Sequence, residues 1–213
     1  MTRYWRRLAV SAGAALLIAG ACGCSPTKPA EPLGPTTLSG ATPIPGGPME
    51  PTPKVANPKI PASQQEAQDT VLKYLQQTTD SLPKGSSLDG SRYVVGDGVS
   101  YCEDEPADHN APVHFADLRD MKLPPEVTDF NAVISHTGEV WKSWGWQVLE
   151  RDGFDKPNRF GYAPDGYVLQ IRAAYPITYP PTVIGTSPCF PGNLRREDTP
   201  RNPAVIAQTA AAQ

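Results

Sequence analysis

The sequence lacks an apolar run long enough to cross a bilayer. The apolar stretch near the start, LAVSAGAALLIAG, has 13 residues, whereas a membrane-spanning helix needs about 20. Arg3, Arg6 and Arg7 precede this stretch without any acid, and small residues follow it. A basic start, a short apolar stretch and small residues at its end are typical of a secretory signal peptide. We therefore expect residues 1–21 to be an export signal, with a short transmembrane anchor as the alternative.

Fingerprints of common catalytic sites are also missing. GVSYC and GTSPC both lack the closing glycine of a nucleophile elbow, and we find no zinc-protease, P-loop or dinucleotide motif. The three histidines, His109, His114 and His136, have no spacing typical of a ligand set. We expect no metal and no cofactor, and an enzyme would need His114 or His136 beside a carboxylate or hydroxyl in a cleft.

The chain has fewer basic than acidic residues, 19 against 22. The formal charge is −3, and loss of residues 1–21 would bring it to −6, which argues against nucleic acid as a partner. The acids concentrate in one run, which contains Glu103, Asp104, Glu105 and Asp108. Because this run lacks the glycine-punctuated pattern of a calcium loop, we expect a solvated loop.

Cysteine is scarce, but two of the four cysteines directly follow the apolar stretch. Small residues stand ahead of both Cys22 and Cys24, as in a lipobox, where the cysteine thiol is acylated. We favour Cys22, with Cys24 as the alternative. A diacylglyceryl group supplies two chains, which is enough for stable anchoring. The expected location is the extracytoplasmic face of the cell membrane, held there by lipid.

The other two cysteines, Cys102 and Cys189, lie far apart in the remainder of the chain. An exported protein meets an oxidising compartment, so we expect them to form a disulfide; two free buried thiols are the alternative. Closing a loop of about 87 residues stabilises a fold by at most ~4 to 5 kcal/mol. Acylation of Cys22 would leave Cys24 unpaired, which is the best argument for Cys24 as the lipid site.

Proline divides the chain into segments. Eleven prolines fall between residues 25 and 62, among few large apolar side chains, so residues 22–62 are expected to be a disordered linker. At ~3.1 Å per residue this spacer could extend to ~120 Å. Residues 63–194 are enough for one globular domain. Residues 195–213 are expected to be a disordered tail.

The domain is predicted to be α+β. A capping box of Ser63 and Glu66 opens a first helix, which Pro83 and Gly85 end, and Gly145 ends a second helix that begins near LPPEVTDF. The predicted strands are SRYVVGDGVSYCED, VHFADLRDM, WQVLER and GYVLQIRAAY, with PPTVIGTSPCFPG as a possible last one. The order α-β-β-α-β-β predicts one antiparallel sheet with both helices on one face.

Three tryptophans lie in or just after the second helix. Trp141, Trp144 and Trp146 could stack against a sugar, a lipid or a protein partner. Trp141 and Trp144 also lie on the apolar stripe of that helix, so packing in the core is the alternative.

This pattern resembles the LppA-type small lipoproteins of mycobacteria and related actinobacteria. The resemblance rests on the lipobox cysteine, SYCED, LPPEVTDF, DGYVLQIRAAY and SPCFPG. It covers about residues 90–192 and the signal, and the linker is longer than in that pattern. The resemblance implies an envelope lipoprotein without an established activity, with a lipid site and a disulfide as its functional residues.

Three functions are compatible with these features. The first is a membrane-anchored binding or scaffold module that meets an envelope protein, a glycan or a lipid, which predicts an exposed groove or sheet face. The second is a carrier of a hydrophobic ligand, which predicts an apolar cavity of ~300 Å³ or more between helices and sheet. The third, and least favoured, is a hydrolase of envelope material.

Overall fold

The computed structural model describes residues 51–93, 98–176, 178–200 and 202–210. Two α-helices accompany eight strands. The helices are α1 (Gln64–Ser81) and α2 (Phe130–Ser143). The strands are β1 (Ser87–Asp89), β2 (Val99–Tyr101), β3 (Val113–Lys122), β4 (Gln147–Leu149), β5 (Asn158–Tyr162), β6 (Val168–Arg172), β7 (Thr182–Thr186) and β8 (Val205–Ala207).

All eight strands belong to one antiparallel sheet. Its order is β4-β5-β6-β7-β3-β1-β8, and β2 pairs with the first half of β3. The long strand β3 joins the two parts of this sheet. β1 and β2 pair with different parts of one side of β3, and β7 pairs along its other side. The predicted α+β class and antiparallel sheet are confirmed.

Both helices pack on the same face of the sheet, as predicted. Gly161, Leu169 and Gly185 are directly opposite one another on β5, β6 and β7, so they share a face. A side chain at Gly161 would meet Trp141 of α2, and one at Gly185 would meet Val71 of α1. The core lies between these layers and includes the fully buried Leu75, Leu88, Met121, Ile134, Ile171, Val183 and Ile206.

Local sequence accounts for the helix ends. The Ser63 hydroxyl accepts a hydrogen bond from the Glu66 amide at 3.1 Å, and the Glu66 carboxylate accepts one from the Ala62 amide at 2.8 Å. Asp129 caps α2 by accepting from the Ala132 amide at 2.9 Å. Gly145 follows α2 with a φ of +81°, the left-handed conformation that glycine favours.

The sequence analysis predicted too few strands. The hairpin of β2 and β3, and strands β4 and β6, lie where they were expected, whereas β1, β5 and β8 were not predicted. The possible last strand is β7, which lies in the middle of the sheet between β6 and β3.

The prediction of a disordered tail over 195–213 was wrong for most of that segment. β8 pairs with β1, and Ile206 is only 2% exposed. The buried Arg119 side chain also donates to the carbonyls of Pro203 and Ala204, at 2.8 and 3.1 Å. An apolar side chain and these hydrogen bonds together offset the entropy of ordering the segment.

The last residues of the predicted linker also belong to the domain. Pro61 is buried, and the Lys59 amide donates to the Asp165 carbonyl at 2.8 Å. Lys59 also forms an ion pair with Glu66 at 2.8 Å. The rest of the linker before residue 51, the signal over residues 1–21, Cys22 and Cys24 lie outside the described residues.

Candidate functional site

Two of the three tryptophans proposed as ligand contacts are core residues. Trp141 is fully buried and Trp146 is 7% exposed, whereas Trp144 is half-buried. The Trp141 indole donates to the Thr78 hydroxyl at 3.1 Å, which joins α2 to α1. A Cβ at Gly161 would lie 2.7 Å from the Trp141 ring. Trp141 and Trp146 therefore hold the layers together, and only Trp144 offers surface to a ligand.

These tryptophans continue into a cluster of tyrosines. The Tyr74 ring lies edge-on to Trp146, with centroids 4.8 Å apart, and 5.8 Å from the ring of Tyr167. The Tyr74 hydroxyl donates to the Asp165 carboxylate at 2.6 Å. Burial, together with this carboxylate, raises the pKa of Tyr74 far above its usual value. Tyr74 therefore remains protonated and ties α1 to the turn between β5 and β6.

The predicted disulfide between Cys102 and Cys189 is present, with an S–S distance of 2.08 Å and Cα atoms 6.3 Å apart. Cys102 directly follows β2, so the bridge ties the first predicted hairpin to the segment after β7. His114 Nδ1 lies 3.7 Å from the Cys102 sulfur. Partial burial lowers the pKa of His114, which favours the neutral ring.

The remaining polar candidates are dispersed. His109 and the acidic run are exposed, and His136 Nε2 lies 3.3 Å from the Ser81 carbonyl oxygen. Within the described ranges, no group of three or more His, Cys, Asp or Glu residues could hold a metal ion. In the same ranges no histidine hydrogen-bonds to a carboxylate or hydroxyl.

In the described part of the chain, the sheet face opposite the helices carries no helical layer. One row of side chains crosses five strands in register: Leu149, Phe160, Gln170, Ile184 and Leu118. A second row beside it consists of Gln147, Tyr162, Val168, Thr186 and Ala116. We call these two rows the open face. Five strands span about 19 Å at a spacing of ~4.8 Å. Most of these side chains are half-buried, whereas Phe160 and Tyr162 are buried.

The β4–β5 loop covers one edge of the open face. Arg151 donates to the Tyr162 hydroxyl at 2.8 Å, and the Phe154 ring lies 4.8 Å from that of Phe160. The Arg172 guanidinium is 5.8 Å from the centre of the Phe154 ring. At this edge the Phe154 ring is 36% exposed and Arg172 is half-buried, whereas Arg151 and Phe160 are buried beneath them. An aromatic ring and a guanidinium at the surface can bind planar or anionic groups.

The other edge carries paired charges, because Asp120 forms ion pairs with Arg92 at 2.6 Å and with Lys122 at 3.9 Å. Asp120 of β3 accepts hydrogen bonds from Arg92 at 2.6 Å and from the Tyr93 hydroxyl at 2.7 Å. Burial, with the Asp120 carboxylate, raises the pKa of Tyr93. The open face thus has a largely apolar middle between an edge with Phe154 and Arg172 and an edge where Asp120 is ion-paired with Arg92.

Sequence reasoning anticipated an exposed sheet face or groove, but it named none of these residues. The available signal was the alternation in VLQIR and ADLRD, which is typical of half-buried strands. Alternation shows that a strand has two faces. The packing of the helices decides which of them is covered.

A separate groove of about 340 Å³ lies between the end of α1 and the beginning of α2. Pro83, Val127, Ala132 and Val133 form its apolar lining, and Glu126, Asp129 and His136 contribute polar groups. We call it the α2 groove. It lies at the helix ends, whereas the carrier hypothesis requires a cavity between the helices and the sheet.

Comparison with known proteins gives no neighbour: no protein-family model, curated protein or solved structure matches the chain. Within the part of the chain that the structure describes, no helix has the length and apolar character needed to span a membrane.

Proposed function

We propose that this protein is a lipid-anchored binding module of the cell envelope, related to the LppA-type lipoproteins, and that the open face is its recognition surface. The observation that carries the proposal is the single-sided packing of α1 and α2, which leaves the middle of the opposite sheet face without a helical layer. Half-buried apolar side chains between two edges with polar groups are the composition expected of a contact surface.

The alternatives fit the packing less well. In the region where a carrier would hold its ligand, Trp141 and Val71 lie directly against Gly161 and Gly185. A hydrolase would need an activated histidine, but His114 lies against the disulfide and His136 contacts a backbone carbonyl. An envelope protein, a glycan or a lipid can each use the open face, whereas the acidic charge disfavours nucleic acid.

The chain enters the domain at one end of the sheet, where Lys59 bonds to the turn between β5 and β6. Residues 22–57 would then form the tether to a lipid on Cys22, or on Cys24. A long tether allows the domain to turn either face toward a partner while the lipid keeps it near the membrane.

Fractionation of cells tests the anchor. The double variant Cys22→Ser, Cys24→Ser is expected to move from the membrane fraction to the aqueous fraction and to lose incorporation of labelled palmitate. The single variants identify the acylated cysteine. Full retention of the double variant with membranes would refute lipid anchoring.

Site-specific photo-crosslinking of the full chain in its native cells tests the open face. A photoreactive side chain at Gln170 or Thr186 is expected to give a discrete adduct. The same group at Lys73, which is exposed on α1, provides the control and should give none. Equal adducts at all three positions, or none at Gln170 and Thr186, would count against the open face as the recognition surface.

A further inference from the structure

The α2 groove combines an apolar lining with acids. Val133 is 7% exposed and Val127 is half-buried. Val127 is held by a turn in which its amide donates to the Pro124 carbonyl at 2.9 Å. On the other side, Pro83 follows the last turn of α1, and His136 reaches across to the Ser81 carbonyl. The segment before α2 and the first turns of α2 form one wall of the groove, and Pro83 after α1 forms the other.

The charges of the groove have one sign. Its lining contains two carboxylates, Glu126 and Asp129, and no lysine or arginine. Neither carboxylate forms an ion pair within the described ranges. The α2 N-terminus contributes a partial positive charge of roughly +0.5, which is smaller than two full negative charges. The groove therefore favours a cation.

We infer that the α2 groove docks a basic, apolar segment of a partner polypeptide, with an apolar side chain against Val127 and Val133 and a neighbouring lysine or arginine beside Glu126 and Asp129. A volume of about 340 Å³ is at the small end of ligand sites, which range over about 300–1,000 Å³. That volume suits one or two anchoring side chains, as in other peptide-recognition grooves.

This docking site is distinct from the open face, so it does not depend on the proposed recognition surface. α1 begins at Gln64, where the chain enters, and ends beside the groove after 18 residues, which corresponds to about 27 Å of helix. The groove therefore lies at the opposite end of α1 from the point where the chain enters the domain.

Peptide titration tests the inference. The protein is the full chain with Cys22→Ser and Cys24→Ser, which leaves every described residue unchanged. The probe is a fluorescein-labelled peptide, KLWKLK, followed by anisotropy, and its acidic counterpart is ELWELE. We expect saturable binding of KLWKLK only, and weaker binding at higher salt because both charges are exposed to solvent.

The double variant Glu126→Gln, Asp129→Asn is expected to weaken binding about threefold to tenfold, while Asn keeps the helix cap. Ala132→Trp, on an exposed position, should fill the groove and abolish binding. A matched loss of two charges, Glu103→Gln with Asp104→Asn in the acidic run, should leave the affinity within twofold. Glu126→Gln alone provides a readout if the double variant does not fold.

Three results would overturn the inference: equal binding of ELWELE, equal weakening by the variant in the acidic run, or binding that survives Ala132→Trp. A peptide of residues 1–8 of this chain, which is basic and apolar, tests one competing occupant. If it binds at least tenfold more tightly than KLWKLK, the groove belongs to the chain's own N-terminus. Displacement of KLWKLK by monomeric dodecyltrimethylammonium at equal concentration would instead assign the groove to a small cationic amphiphile.

Discussion

The helix-covered face and the open face are the two sides of the same strands. Packing against the helices constrains the side chains of the first face but not those of the second. Val183 and Ile184 are neighbours on β7: Val183 points toward the helices and is fully buried, whereas Ile184 points to the open face and is half-exposed. On the covered face the closeness of α1 and α2 even requires glycine at two positions. Half-buried residues of the open face such as Gln170 and Ile184 have no helix packed against them, so their identity is available for recognition.

Each face also contains an aspartate–arginine pair, and the two pairs differ in their environment. Asp117 and Arg119 form a bidentate pair on the covered face, with the Arg119 side chain only 3% exposed. Asp120 and Arg92 form a pair at the edge of the open face, where the Arg92 side chain is 65% exposed. The aspartates are similarly exposed, at 12% and 16%, so the pairs differ in their arginines. Water therefore screens the second pair more than the first, and the two provide a matched test of the faces.

The largest expected effect is at Trp141. Trp141→Ala removes a fully buried ring and leaves the Thr78 hydroxyl without its donor, so we expect a loss of about 3–5 kcal/mol in the free energy of unfolding. Urea denaturation followed by far-ultraviolet circular dichroism measures it. Trp141→Phe is the control and should cost less because it fills most of the space. A loss below about 1 kcal/mol for the alanine variant would contradict the assignment of Trp141 to the core.

Removal of Arg119 should have a similar or slightly smaller effect. Arg119→Met leaves the Asp117 carboxylate buried and frees the carbonyls of Pro203 and Ala204, which predicts a loss of about 3–5 kcal/mol. Hydrogen exchange should also become faster over β8, because Arg119 holds that segment. Arg92→Met, the matched change at the open face, is expected to leave stability nearly unchanged. Equal losses would mean that the two pairs are equally screened.

The sequence was informative where structure depends on neighbours along the chain. Ser63, Glu66 and Gly145 mark helix ends through local hydrogen bonds or backbone conformation, and these features are readable from residue type. The pairing of Cys102 with Cys189 followed from the expected export and from the count of remaining cysteines.

Features that depend on distant contacts were missed. β5 contains Gly161, a poor strand residue, because the Trp141 ring occupies the space of a side chain there. β8 is three residues long in a segment rich in polar residues and proline, and it is ordered by β1 and Arg119. The sequence predicted that a sheet face would be exposed, but it did not predict which residues form that face. Alternation with a period of two does not reveal which side of the strands the helices will cover.

Tyr74 provides a smaller effect that appears only at alkaline pH. The folded state raises the pKa of Tyr74 above the usual value of 10.0, so its contribution to stability is complete below about pH 10. It is lost as the pH rises toward the folded value, because the unfolded chain then releases a proton that the folded chain keeps. Tyr74→Phe should make this decline shallower, by less than about 1 kcal/mol per pH unit for a partly solvated group.

Urea titrations at several pH values between 9 and 11.5 measure that decline. Tyr93 and Tyr167 also have raised pKa values, so the decline should shrink without disappearing. Tyr175→Phe, on a ring that is 89% exposed, is the control and should leave the curve unchanged. An identical decline in the Tyr74→Phe variant and the unsubstituted chain would show that Tyr74 is not the group responsible.

Ile184→Thr is expected to have the smallest effect on stability, and its comparison with Val183→Thr is the most direct test of the two faces. Ile184→Thr keeps a β-branched side chain on β7 and should cost about 1 kcal/mol or less, because Ile184 is half-exposed. Val183→Thr, one residue earlier, places a hydroxyl in the core and should cost about 1–3 kcal/mol. The binding effects should have the opposite order, because only Ile184→Thr changes the surface on which the Gln170 adduct forms. If Ile184→Thr destabilises as much as Val183→Thr, or leaves that adduct intact, the open face is a structural layer and not the recognition surface.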